Sequence, residues 1–216
     1  MVPNYRLSYH PDHPERATTL HPTHILDIAR FFNWLITQWA DEKSGSSWNS
    51  IRNVYLVGHS CGAHILSHIF FSLPTPLPTI SIPSKTLTTL QDNLLALLRK
   101  TRGAAFLDGI YDLPALVAEY PTYSFFADAA FGPDQEKRIP PRAVMDVLEG
   151  TRVVVAHATE DELLSPMQGK MWVDYLIDVG LGEQTVWDES TLRGTHDGCL
   201  HHAGLGELLY KLVKDA

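Results

Sequence analysis

Cysteine is nearly absent: a chain of 216 residues carries two, Cys61 and Cys199. So few cannot build a disulfide framework, and the pattern fits a reducing compartment. Excess positive charge is missing too. The formal net charge is −8, which argues against nucleic acid or an anionic membrane as partner, since both require a basic patch. No run approaches the roughly twenty apolar residues that a bilayer span needs. The opening "MVPNYRLSYHPDHP" has no apolar centre of the kind a signal peptide uses, so a cytoplasmic protein is expected. There is no internal repeat and no break in composition, and one domain is expected over residues 1–216. With 44% hydrophobic and 19% charged residues, the chain is neither disordered nor fibrous.

What is present is alternation. "IRNVYLVG", "GAAFL", "RVVVAHA" (Arg152 to Ala158) and "EQTVWDES" are short apolar runs of the kind buried in a parallel sheet. Helical spacing fills the intervals. From Ile25 to about Lys43 the apolar residues Ile25, Ile28, Ala29, Phe32, Leu35, Ile36 and Trp39 recur at three- and four-residue steps. Further helices are expected from about Gly62 to Phe71, over "LQDNLLALLRK", from about Pro166 to Val179, and at the end to near Lys214. "VPNYRLS" reads as a short extended segment. The proline-broken "SLPTPLPTISIPSKT" reads as a surface excursion. "PALVAEYPTYSFFADAAFGPD" reads as a cap or lid whose aromatics belong to the core or line a pocket. Strands alternating with helices give an α/β class, a mostly parallel sheet flanked by helices.

One stretch of this pattern carries chemistry. "VYLVGHSCGAHIL" contains Gly58-His59-Ser60-Cys61-Gly62, a G-x-S-x-G segment placed where an apolar strand gives way to a helix. Small residues at Gly58 and Gly62 suit a turn tight enough to hold Ser60 out as a nucleophile. A serine needs a base to take its proton, and the base needs a third group to orient it. In an open parallel sheet such groups gather beyond the C-terminal strand ends. Asp161 follows "RVVVAHATE", and His196 lies in the loop after "TVWDES". The order Ser, acid, His is that of the α/β-hydrolases. Glu160 and Glu162 flank Asp161 and compete for its role; Asp112 and Asp174 are weaker rivals. His201 and His202 compete with His196 but are expected inside the last helix. His59 and His64, tied to the elbow itself, read as packing or supporting residues. The backbone N–H of Cys61, opening the next helix, is expected to serve an oxyanion. Eleven histidines, with "HPDH", "HPTH" and "GTHDGCLHH", raise the question of a metal. Their proline-rich context and the lack of a paired cysteine knuckle argue against one, and no metal is expected.

"NYRLSYHPDHP", "VYLVGHSCGAHI", "LDGIYDL", "HATEDELL" and "GTHDG" together resemble the fungal kynurenine formamidases (arylformamidases), within the esterase-like α/β-hydrolases. The resemblance runs over nearly the whole chain. It implies Ser60 as nucleophile, Asp161 as acid and His196 as base, no cofactor, and often a homodimer. It implies hydrolysis of the small aromatic formamide N-formyl-L-kynurenine to L-kynurenine and formate, in tryptophan breakdown toward NAD. The family also carries an H-G-G-x-W segment upstream of "NYRLS" that completes the oxyanion hole, and this chain has no such segment. The expectation is therefore an α/β-hydrolase-like sheet with its N-terminal strands missing, one of them central. Two other readings follow: an esterase of different acyl specificity, or an impaired shortened relative that binds an aromatic ligand.

Overall fold

The computed structural model describes residues 1–13, 19–41, 45–71, 83–132, 148 and 150–215. Among them are seven α-helices: α1 (Thr23–Thr37), α2 (Cys61–Phe71), α3 (Ser84–Leu98), α4 (Leu113–Glu119), α5 (Ser124–Phe131), α6 (Met167–Asp178) and α7 (Ala203–Lys214). Six strands accompany them: β1 (Ala40–Asp41), β2 (Ser46–Ser47), β3 (Val54–His59), β4 (Thr101–Leu107), β5 (Arg152–Ala156) and β6 (Thr185–Asp188). The chain gathers into two compact units, one from residues 1–52, 68–100 and 113–141, the other from 53–67, 101–112 and 142–216.

The first unit is built on α1 against α3. The expected stripe of α1 is buried at Ile25, Leu26, Ile28, Ala29 and Phe32, and it meets a leucine face on α3 formed by Leu90, Leu94, Leu97 and Leu98. α1 stops at Thr37, short of the expected Lys43, because Gln38 and Trp39 both donate back to the Trp34 carbonyl. The chain then turns into the short antiparallel pair β1 and β2. α3 starts at Ser84, six residues before "LQDNLLALLRK". Its first turns, "SKTLTT", carry no apolar stripe, so periodicity could not see them. "NYRLS" is irregular rather than extended in a ladder. Arg6 grips Asp27 of α1 through two nitrogens at 2.8 and 2.7 Å, and Ser8 Oγ donates to Thr19 O at 2.7 Å. The expected lid is helical: α4, a 3₁₀ turn at Pro121–Tyr123, then α5. Residues 72–82 of the proline-rich excursion lie outside the described residues.

The second unit is the sheet. β3, β4, β5 and β6 run parallel and lie side by side in chain order. β3, the elbow strand, is an edge of this sheet among the described residues. Side chains alternate between the faces. Ala105, Leu107, Val154 and Ala156 pack with Leu208 and Leu212 of α7. On the opposite face Phe106 meets Trp172 of α6, with ring centroids 5.5 Å apart. Close approach fixes two glycines. A Cβ on Gly103 would stand 2.8 Å from a Leu212 methyl, and one on Gly169 would stand 2.5 Å from Trp187.

Register delivers the strand ends to one line. His59 sits opposite Leu107, Leu107 opposite Ala156, and Ala156 opposite Asp188. The next backbone N–H groups continue the ladder: Ser60 to Leu107 O, Asp108 to Ala156 O, and His157 to Asp188 O, at 2.9 to 3.0 Å. Every residue that follows a strand end therefore arrives at the same edge of the sheet.

Candidate active site

Ser60 leaves β3 with φ +53°, in the left-handed region that costs a side-chain-bearing residue about 1–3 kcal/mol. α2 begins at the next residue, Cys61. The tightness of the turn is set by Gly58: a Cβ there would stand 2.6 Å from Gly62 O and 2.8 Å from the Ala63 backbone. Gly62 faces open space, so the steric demand of the motif falls on its first glycine alone. Cys61 is the first residue of α2, and its N–H is among the leading helix donors that have no intrahelical acceptor. The positive end of the helix adds to that donor.

The acid loop after β5 and the histidine loop after β6 are zipped together. Thr159 N–H donates to Leu192 O and Glu160 N–H to Gly194 O, both at 3.2 Å. Gly194, at φ +105°, supplies the turn this pairing requires. The start of the histidine loop is pinned by Asp188, which accepts from Ser190 N–H, Thr191 N–H and Thr191 Oγ1 at 2.9, 2.7 and 2.6 Å.

Across this zipper, His196 Nδ1 lies 2.8 Å from Asp161 Oδ2, with side chains 5% and 0% exposed. The other Asp161 oxygen accepts from Leu163 and Leu164 N–H at 2.8 and 2.9 Å. Burial on its own raises the Asp161 pKa. The bonds from His196, Leu164 and Leu163 outweigh burial and hold the carboxyl below the ordinary range. For His196 burial favours the neutral ring, but the Asp161 bond, with the charges of Asp161, Asp108 and Asp197, carries its pKa above the ordinary value. An ionised Asp161 fixes the proton on Nδ1 and turns Nε2 into a free acceptor.

The rival residues have other tasks. Glu162 Oε2 accepts the backbone N–H of His196 at 2.9 Å, so it holds the main chain of His196. His59 Nε2 donates to His196 O at 2.9 Å, which joins the residue before Ser60 directly to His196. His64 Nδ1 bonds Ile110 O at 3.0 Å. Asp112 donates its backbone N–H to Gln168 Oε1 at 2.9 Å, and Asp174 lies on α6. His201 and His202 are not inside the last helix. His201 ends the 3₁₀ turn Gly198–His201, and His202 caps α7 by accepting from Gly204 N–H.

Asp108 is the residue that sequence reasoning missed. It follows β4, is fully buried, and is one of two non-glycine residues with positive φ among the described residues, Ser60 being the other. Its Oδ1 accepts from Ala158 N–H at 2.7 Å and lies 3.2 Å from His157 Nδ1; its Oδ2 accepts from Cys199 Sγ at 3.2 Å. A signal was available: an apolar strand followed at once by an acid and a glycine.

His59, Asp108 and His196 each bring a potential ligand atom within 4.8 Å of the others, as do Asp108, His157 and Asp161. Several of these groups are committed to the hydrogen bonds above: His59 Nε2 to a carbonyl, His196 Nδ1 to Asp161, and Asp108 to backbone and thiol donors.

No protein-family model matches the chain. It is 34% identical over 179 residues to the kynurenine formamidase of Meyerozyma guilliermondii, covering 80% of this chain and 57% of that protein. It is 32% identical over 149 residues to the kynurenine formamidase of Eremothecium gossypii, covering 68% of this chain and 55% of that protein. The chain thus spans less than three-fifths of the length of these relatives. A carboxylesterase from Lactobacillus plantarum superposes with a TM-score of 0.54 at 16% identity, over 85% of this chain and 58% of that one. A truncated carbohydrate esterase from gut microbiota does so with a TM-score of 0.56 at 13% identity, over 92% and 71%. The fold is that of the α/β-hydrolases. Among the described residues no helix is long and apolar enough to cross a membrane.

Proposed function

We propose that this chain, homologous over four-fifths of its length to the fungal kynurenine formamidases, hydrolyses N-formyl-L-kynurenine to L-kynurenine and formate. The observation that carries the reading is the 2.8 Å bond between His196 and Asp161; Ser60 stands on a positive-φ turn at the end of β3, and His59 before it bonds the His196 carbonyl. In this reading His196 Nε2 takes the Ser60 proton while Oγ bonds the formyl carbon. The carbonyl oxygen becomes an oxyanion and accepts from Cys61 N–H. As the C–N bond breaks, His196 returns the proton to the departing aniline nitrogen, leaving formyl-Ser60. Water then gives a proton to His196 and attacks the same carbon; Ser60 leaves with that proton, and formate is released.

Asp161 keeps the imidazole in the required tautomer and stabilises its charged form. A location in the cytoplasm and a homodimer belong to the same reading. Both cysteines are free, which fits a reducing compartment, and light scattering on the purified chain tests the dimer. The enzymatic test is release of kynurenine from N-formyl-L-kynurenine, compared with Ser60→Ala and with turnover of simple acetyl esters. The reading requires Ser60-dependent release and a preference for the formamide. Preference for the esters would assign the site to an esterase of other acyl specificity.

A further inference from the structure

We propose that Asp108 is a positioning residue for the base: a buried carboxyl that holds the His196 segment from behind through the Cys199 thiol, beside the imidazole of His59. The inference rests on reading His196 as the base.

The geometry is a closed ring. His196 O accepts from His59 Nε2 at 2.9 Å and stands 3.1 Å from Cys199 Sγ. The same sulfur is 3.2 Å from Asp108 Oδ2, and His59 Nε2 is 3.9 Å from that oxygen. A thiol has one proton and here faces two acceptors. The His196 carbonyl already has the His59 N–H, so the thiol proton serves the carboxylate. Asp108 thereby fixes Cys199, whose backbone N–H donates to Thr195 O at 3.0 Å and closes the turn that carries His196; His59 holds the His196 carbonyl, and Asp161 orients the ring from its other end. Asp108 is itself anchored to the β5 end by Ala158 N–H.

Packing alone does not account for a carboxyl at this place. Around Cys199 the cluster is apolar, with Leu107, Val154, Ala158, Leu192 and Leu208, and an apolar residue would fill such a site without the cost of burying a carboxyl. The groups facing Asp108 are His59, His157, His196, Cys199, Asp161 and Tyr111. Burial lifts its pKa, and the nearby Asp161 charge adds to the lift. The site bears that cost and ties the carboxyl, through Cys199, to the turn that carries His196.

The test is the rate at which a fluorophosphonate labels Ser60, a reaction that needs the activated serine and base but no formamide. Cys199→Ala and Asp108→Asn are compared with wild type, and Cys199→Ser supplies the conservative rescue. The account expects labelling to slow by at least about tenfold in Cys199→Ala and Asp108→Asn, and Cys199→Ser, which keeps a donor, to recover most of the rate. A merely structural role would not restore the rate with a hydroxyl. Folded Cys199→Ala that labels at the wild-type rate overturns the proposal, whether or not Asp108→Asn folds. Wild type that fails to label at Ser60 overturns the base assignment, and this inference with it.

Discussion

Replacing Asp161 by Asn removes one charge and almost no volume, so it isolates what the carboxylate does. In the native site one oxygen accepts from Leu163 and Leu164 N–H, and the other faces His196 Nδ1 at 2.8 Å. An amide oxygen must stay on the two backbone donors, because an NH₂ group placed there would face N–H groups. The NH₂ then points at Nδ1, which becomes the acceptor and pushes the ring proton to Nε2. The base now carries its proton where it should receive one. Loss of the correct tautomer in a triad costs about 10⁴-fold in kcat, or roughly 5 kcal/mol of barrier at about 1.4 kcal/mol per tenfold. The pH profile carries an independent signature. In wild type the His196 pKa is raised, so under the proposed function kcat/KM for N-formyl-L-kynurenine is expected to fall as the pH drops through a value above the ordinary 6.5. In the variant that acid limb moves to lower pH, since the largest influence raising the His196 pKa is gone. The assay is initial rate of kynurenine release across pH, with thermal unfolding as the control for folding. A folded Asp161→Asn within about tenfold of wild type, with an unmoved limb, would refute this reasoning.

The remaining predictions concern packing and thiols. Gly58→Ala places a Cβ 2.6 Å from Gly62 O and against the Ala63 backbone; it is expected to cost about 1–3 kcal/mol in urea unfolding. Gly62→Ala meets open space near the start of α2, and the same assay should show no loss or a gain of up to about 1 kcal/mol. The Tyr111 hydroxyl is buried without a partner among the described residues, while its ring stacks on Trp172 at 4.9 Å. Tyr111→Phe keeps the stack and removes the orphan, so it should be neutral or stabilising by about 1–2 kcal/mol in equilibrium unfolding. Cys61 is exposed, although desolvation raises its thiol as well; Cys199 is buried, with a thiol pushed up to about 12 by burial and by Asp108, so accessibility separates the two. Iodoacetamide should therefore alkylate Cys61 in the native protein and Cys199 only after denaturation, as read by peptide mass spectrometry.

The strands, and the meeting of Asp161 with His196 beyond their ends, were legible because parallel strands read as apolar runs and a sheet of this type collects polar groups where those runs end. Residue identity could say less about the task of each neighbour. Glu162 stands beside Asp161 in sequence, yet its carboxylate holds the main chain of His196, a division of labour set by loop geometry alone. Asp108 was hidden because an acid before glycine looks like an ordinary turn. Only the register of β3, β4 and β5 shows that it arrives on the same line as Ser60. The first turns of α3 carry no stripe, so its start could not be seen, and α1 was drawn too long because its last apolar residues still kept helical spacing. The glycines of the elbow look equivalent in sequence; three-dimensional contact distinguishes Gly58, pressed on α2, from Gly62, where an added Cβ would meet open space.

The most direct test of the central claim is to find where the formyl group goes. N-formyl-L-kynurenine, isotopically labelled in the formyl carbon, is mixed with the enzyme, quenched in acid within the first turnover, and the digested chain is mapped by mass spectrometry. The account predicts label on the peptide containing Ser60 and none in Ser60→Ala. Label on another residue, or kynurenine release that persists undiminished in Ser60→Ala, would contradict it.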